Sequence, residues 1–334
     1  MVADTMLLCQ DDIRSLITMK DVVECVDRTF QGMGDGTVIN PTKVNLDLGA
    51  RASYPSYEGS LNAMPAYLGW CDSAGMKWAG GFLGERKRQG LPYLTALILL
   101  IDPRVGNFRA VMEGAFITNY RTGAQTAVAL KYLYGRGRKI RLGLYGAGVQ
   151  GYTQTMAIAE LFEITRVQVF DIRRSAAEKY AEDMKNIVQG PIVVASRPEE
   201  AAVDVDVVVC VTHADDGFFR NAWFKPGTFL FPMGSYQECD DQCILTADKI
   251  VVDHVGQTLH RGALAKLGAS GRITEKNIYA TVGEIAAGKK PGLFRGDERV
   301  LCVSIGTGAM DVAVATLVWQ RAREQKLGST YQFV

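Results

Sequence analysis

The sequence predicts an α/β protein in which a doubly wound, mostly parallel sheet domain is inserted into a discontinuous α+β domain. Three observations carry this expectation. Residues 139–171 read as a strand, a glycine turn, a helix, a second strand and an acid. Short apolar strands then keep alternating with helices or long connections until about residue 305, the pattern of a parallel sheet. Before this region, residues 41–114 read as strands with turns and no crossover helices, which suggests a separate antiparallel or mixed sheet. A helical pattern at 308–327 is expected to pack back on the first region. The predicted division is 1–124 plus 308–334 for one domain and 125–307 for the other.

Length and charge bound the function. The 334 residues suffice for two domains, and Lys+Arg 37 against Asp+Glu 36 leaves no field that favours nucleic acid or an anionic membrane. Small molecules and further copies of the chain are the expected partners. The apolar run at 94–101 is too short to span a bilayer. Asp4, Asp11 and Asp12 stand where a secretion signal needs basic and apolar residues, so a cytoplasmic location is expected. The cysteines are odd in number, 7, and scattered, as in a protein of reduced thiols.

In chain order, Ile13, Leu16, Ile17, Val22, Val23 and Val26 recur at helical spacing after a cap at Asp11 or Asp12, with a break near 18–20, and Gly32, Gly34 and Gly36 end the pattern. Strands are expected at 44–48, 66–70, 76–80 and 93–101, the last closed by Asp102-Pro103. A helix follows at 122–133. The central unit begins with the strand 140–145 and the turn Gly146-Ala147-Gly148-Val149-Gln150-Gly151. In such a turn the first glycine permits the bend, the second lets the backbone approach a pyrophosphate, and the third lets helix and strand pack closely. The N–H groups at the helix start then face the phosphates. Asp171 lies about twenty residues beyond the last glycine, where a ribose-binding carboxylate is expected. The alternative is a βαβ unit whose glycines serve only the turn. With strand and helix both in place, the Rossmann reading is preferred.

Two cations stand out. Lys77 sits in the apolar, glycine-rich stretch Gly75-Met76-Lys77-Trp78-Ala79-Gly80-Gly81. A buried charge there needs a partner and suggests a cation awaiting an anionic ligand. The alternative is an edge-strand lysine whose stem covers apolar surface while its head reaches water. Arg121, placed just before the expected helix at 122, can hold a carboxylate by two parallel hydrogen bonds; its alternative is a surface salt bridge. His213, His254 and His260 form no metal set, and the pair Cys239 and Cys243 has no second pair to complete a zinc site, so no metal is expected. Hydride chemistry carried by a nicotinamide cofactor remains.

At these residues the chain resembles the ornithine cyclodeaminase/μ-crystallin family. The resemblance rests on Met64-Pro65, Gly75-x-Lys77, Ile117-Thr118-x-x-Arg121-Thr122-Gly123-Ala124, Gly146-Ala147-Gly148-Val149-Gln150, Gly283-Glu284-Ile285 and Gly306-Thr307-Gly308-Ala309-x-Asp311. It implies a Rossmann domain inserted into a substrate and dimerisation domain, a homodimer, and hydride exchange between a nicotinamide and the α-carbon of an amino or imino acid. It implies that Lys77 and Arg121 hold the substrate carboxylate, with Lys43 and Asp311 also in the site. Gly146, Gly148, Val149, Gln150, Gly151, Asp171, Arg173 and Thr122 are assigned to the cofactor. Two departures from the family pattern matter. Pro41-Thr42-Lys43 offers a lysine where many members have an arginine, a point charge in place of a bidentate clamp. Gly234-Ser235-Tyr236-Gln237-Glu238 offers Tyr236 where cyclodeaminases have an aspartate, with Glu238 or Asp240 able to swing in from the loop.

The leading expectation is an NAD(H)-dependent imine reductase or amino-acid dehydrogenase. The alternatives are a cyclodeaminase-type lyase with redox-neutral NAD and a non-catalytic cofactor- and ligand-binding protein. Cyclisation of ornithine needs its δ-ammonium to be held and deprotonated, tasks suited to a carboxylate and not to the neutral phenol of Tyr236. Incubation with ornithine and catalytic NAD is therefore expected to give no appreciable proline or ammonia. Robust proline formation contradicts the assignment of Tyr236 to that position.

Overall fold

The structure, a computed structural model, describes residues 4–49, 52, 57–214 and 216–333. It divides into two compact units, Met1–Arg121 with Thr307–Val334, and Thr122–Gly306.

In the first unit the strands are β1 (Asp4–Leu8), β2 (Val38–Ile39), β3 (Val44–Asp47), β4 (Gly59–Leu68), β5 (Ser73–Phe82), β6 (Leu94–Ile101) and β7 (Phe108–Glu113), joined by a strand at the chain's end, Ser329–Gln332. They form one mixed sheet in the order Ser329–Gln332, β1, β7, β6, β5, β4, β2, with β3 also paired to β4. Only β1 and β7 run parallel; the other neighbours are antiparallel. The expected strands at 66–70 and 76–80 are thus the inner ends of a ten-residue hairpin pair. Pro65 and the glycines of β5 shortened the sequence reading, because the pairing that extends these strands is long-range. The same reason hid β1, β2, β7 and Ser329–Gln332.

The N-terminal helices are Gln10–Leu16 and Met19–Asp35. Asp11 and Asp12 do not cap the first: Cys9 is the cap, and the Asp12 carboxylate accepts from the Cys9 N–H at 2.9 Å. Between the helices Thr18 opens a capping box with Asp21.

Across one face of the sheet lies the helix Gly308–Gln325, packed on β4, β5, β6 and the Met19–Asp35 helix. Its first two turns, 308–315, are wholly buried, and small residues allow the close approach. A Cβ on Gly308 would stand 2.4 Å from the Met64 carbonyl oxygen, so no larger residue fits there. Bonds from the Ala309 N–H to Asn40 Oδ1 (2.9 Å), between the Ser73 and Thr316 hydroxyls (2.8 Å), and from both terminal nitrogens of Arg321 to Asp21 fix its register. This register decides what Asp311, in its first turn, can reach.

The helix expected from 122 begins at Ala115 and runs to Leu133. Arg121 therefore lies in its second turn, and the anion-attracting helix start does not act on it. The Glu113 carboxylate takes that place, accepting from the Ala115 and Phe116 N–H groups.

The second unit holds β8 (Lys139–Tyr145), β9 (Glu163–Phe170), β10 (Ile192–Val194), β11 (Val207–Cys210), β12 (Phe229–Pro232), β13 (Lys249–Val252), β14 (Ala280–Thr281) and β15 (Val300–Val303). All pair in parallel, in the order β10, β9, β8, β11, β12, β15, β13, β14. Strand order reverses between β8 and β11, which makes the carboxyl ends of those strands the expected ligand crevice of this Rossmann sheet. β11, β12 and β15 are buried along their whole length, as strands covered on both faces must be. No helix among the described residues is long and apolar enough to cross a membrane.

Candidate active site

In the first unit, Lys77 lies on β5 between Met64 of β4 and Ile98 of β6, so the edge-strand alternative fails. It is 1% exposed and points to the face covered by the Gly308–Gln325 helix. There its Nζ meets Asp311 Oδ2 at 2.6 Å and donates to Thr118 Oγ1 at 3.3 Å. Arg121 Nε donates to the other Asp311 oxygen at 3.0 Å. Arg121 is not on the surface either, at 5% exposure, and Asp311 is fully buried. Thr118 completes the group, its hydroxyl bonded to the Gly114 carbonyl at 2.6 Å.

Both cations meet the Asp311 carboxylate, and all three side chains are buried. Burial, then the neighbouring Arg121, pull the Lys77 pKa down from 10.5 to about 8, against the opposing attraction of Asp311. A second negative group entering beside Lys77 and Arg121 would relieve both effects. Lys43 stands immediately before Val44, which pairs with Ala63, next to the Met64 that faces Lys77. It is half-buried, at the same level of the sheet and two strands away. The sequence reading named Lys77, Arg121 and Asp311 but not that the acid bridges the two cations, because that contact depends on the register of a helix almost two hundred residues further along.

In the second unit the glycine turn follows β8 and leads into the helix Val149–Leu161. Gly146 has φ +101°, outside the range of ordinary side chains. A Cβ on Gly148 would meet no atom within 4 Å, so the backbone there lies open to an approaching group, while one on Gly151 would lie 2.4 Å from the Gly146 carbonyl oxygen. The three positions thus have the bend, the open approach and the close packing that a pyrophosphate cradle requires. Asp171 Oδ2 accepts from the Ala147 N–H at 2.9 Å and Oδ1 from the Arg173 N–H at 2.8 Å, which fixes the acid at the rim of the turn. The Arg173 side chain is 74% exposed and only 4.0 Å from Asp171, a weak pairing. Val149 is exposed and Gln150 half-buried at the helix start, and Thr122 accepts from Gln154 through its carbonyl at 3.3 Å. Ile172, directly after Asp171, is 92% exposed, an uncovered apolar side chain at the rim of the turn.

The loop after β12 differs from expectation. Glu238 does not swing: it is fully buried and accepts from the Thr212 N–H (2.6 Å), the Thr212 hydroxyl (2.8 Å) and the Met233 N–H (3.1 Å). Burial raises its pKa to about 8 despite these bonds. Asp240 is held as well, capping the helix Asp241–Leu245 through the Cys243 N–H and accepting from the Asn221 N–H. Tyr236 lies with its ring 5.2 Å from that of His213. Among the described residues no group of three or more His, Cys, Asp or Glu could hold a metal ion.

Comparison with known proteins places this geometry. The sequence profile of the ornithine cyclodeaminase/mu-crystallin family matches residues 3–326, and the chain belongs to that family. Alanine dehydrogenase of Archaeoglobus fulgidus is 33% identical over 337 residues, 99% of each chain. An archaeal alanine dehydrogenase, solved as a dimer with bound NAD, superposes with a TM-score of 0.89 at 32% identity, covering 99% of this chain and 100% of that one. Delta(1)-pyrroline-2-carboxylate reductase of Thermococcus litoralis, solved with NADH and L-proline, gives 0.89 at 31% identity, with 97% and 99% covered.

The exposed Arg173 and the fixed Asp171 carboxylate favour a free ribose over a 2′-phosphate. Titration of the cofactor-free protein is expected to show tighter binding of NADH than of NADPH, by about tenfold or more. Tighter NADPH binding contradicts the role given to Asp171.

Proposed function

We propose that this protein is an NAD(H)-dependent reductase or dehydrogenase acting at the α-carbon of a 2-imino or 2-amino acid. The observation that carries the reading is the buried cluster in which Lys77 and Arg121 both meet the Asp311 carboxylate. Two cations held side by side in an interior suit an anionic ligand, and the α-carboxylate of an amino or imino acid is one. Asp311 holds the two cations apart at fixed positions, Arg121 offers a planar guanidinium to the carboxylate, and Lys77 adds a point charge. With a pKa near 8, Lys77 can also give up or take a proton close to neutrality. Bound nicotinamide supplies or accepts the hydride. Gly146, Gly148, Gly151 and Asp171 would hold that cofactor, with Val149, Gln150, Thr122 and Arg173 around them.

NAD as the bound cofactor and NADH with L-proline in the two solved relatives support this reading, since L-proline is itself a 2-amino acid. The engagement of Glu238 with Thr212 and Met233 supports reduction over cyclisation, because that carboxylate is already occupied and is not free to hold a side-chain amine. The intact cation cluster supports catalysis over storage.

A homodimer is part of the proposal. The outer face of the first unit's sheet presents Val44, Trp78 and Leu97 at 69%, 50% and 52% exposure, in a row set by the pairings Val44 to Ala63, Ala63 to Trp78 and Trp78 to Leu97. A contiguous apolar row of this kind is unusual on a monomer, and the archaeal alanine dehydrogenase is a dimer.

The test is NADH consumption with a panel of 2-oxo acids and ammonia or methylamine, at constant free-amine concentration. Turnover is expected, and kcat/KM should be level at lower pH and fall about tenfold per pH unit above about 8, as Lys77 loses its proton. Lys77→Met should lower kcat/KM by roughly a hundredfold or more. The fold should survive the change. The native protein binds fewer protons at Lys77 than the unfolded chain between about 8 and 10.5, so this group's contribution to stability rises with pH across that window and is unfavourable below it. A Lys77→Met protein with normal turnover, or a profile that stays level through pH 9.5, contradicts the proposal.

A further inference from the structure

Asp253 follows β13 and is 1% exposed. One of its oxygens, Oδ2, accepts from Gln125 Nε2 at 2.8 Å and from the Gly306 N–H at 2.6 Å. The other, Oδ1, is buried and has no hydrogen-bond partner among the described residues, and no cation pairs with the carboxylate there. Leaving a buried carboxyl oxygen without a hydrogen bond is unfavourable. Stability alone does not account for it, because a neutral, well-packed side chain would avoid that cost.

The two donors explain the position. Gln125 lies at the start of the second unit, one helical turn beyond Arg121 on the Ala115–Leu133 helix. Gly306 is the last residue of the same unit, five positions before Asp311, and its φ of +84° sets the direction in which the chain leaves. A single carboxylate oxygen thus joins the entry and the exit of the inserted domain. The segments it joins continue directly into the partners of the 3.0 Å Arg121 to Asp311 bond.

We infer that Asp253 is a positioning residue for the carboxylate-binding cluster, setting the register of the two segments that deliver Arg121 and Asp311. This rests on the function proposed above. Asp253 acts through Gln125 and Gly306.

The test compares Asp253→Ala, Asp253→Asn and Gln125→Leu in the full chain. Asp253→Ala is expected to raise KM for the 2-oxo acid about tenfold or more, with the NADH dissociation constant changed less than about twofold. Asp253→Asn keeps the shape and an acceptor oxygen and should restore most of the loss. The alkaline limb of kcat/KM should move to lower pH in Asp253→Ala, because Asp311 then supports the Lys77 proton less well, a shift that a purely structural role would not produce. Hydrogen exchange should rise together in peptides covering 118–126 and 302–312. Wild-type kinetics in Asp253→Ala, or exchange that rises in one segment only, in neither, or across the whole chain, overturns the inference. If Asp253→Ala does not fold, Gln125→Leu removes one arm and is read in the same way. If the wild-type protein turns over no 2-oxo acid with NADH, the functional reading fails, and the exchange measurement still decides the clasp.

Discussion

The pairing of one buried carboxylate with two buried cations is the constraint on which the first unit depends. Charges placed in a protein interior are tolerated only when paired and hydrogen-bonded. Asp311 meets this for Lys77 and Arg121. Several features of the fold serve its position. The glycine at 308 brings the helix backbone against Met64, Asn40 caps the Ala309 N–H, and Arg321 anchors the far end of the helix to Asp21. Lys77 is fixed by strands on both sides, so neither partner can relax toward water. The cluster is therefore a property of the folded unit and not of a mobile side chain.

The second unit is organised by a different constraint, the reversal of strand order beside β8. There the chain spends glycine on backbone geometry: one position bends the chain, one leaves room, one allows contact with the strand. Asp171 closes the turn through the Ala147 N–H, so the acid that would meet a ribose is also part of the turn's own bonding. Glu238 and Asp253 are further buried acids of this unit, each accepting backbone N–H groups at strand ends. Neither announces itself in the sequence.

What the sequence discloses and what it hides divides along the range of the interactions. The strand, glycine turn, helix and acid of residues 139–171 are local, and they appear in the structure within a few residues of the expected limits. The break between the first two helices is equally local, because Thr18 and Asp21 are three residues apart. The long hairpin of β4 and β5, the short β1 and the late start assigned to the helix now seen at Ala115–Leu133 were misread because cross-strand pairing and tertiary packing outweigh proline, glycine and propensity. At the site, Lys77 was conspicuous as a charge in an apolar strand. Thr118 and the bridging role of Asp311 were not, since they need a contact between residues 77, 118 and 311. The acids after β12 were misjudged as mobile because nothing in a sequence distinguishes a loop carboxylate in water from one buried on three donors.

On the proposed reading a ligand carboxylate joins the Lys77, Asp311 and Arg121 cluster. Proton uptake on binding measures this directly. Calorimetric titration of the cofactor-loaded protein with an unreactive carboxylic acid analogue near pH 8, in two buffers of different ionisation enthalpy, is predicted to show net uptake, because an anion beside Lys77 raises its pKa above the free-protein value of about 8. The uptake should vanish in Lys77→Met. Binding with no proton uptake, or with release, contradicts the account.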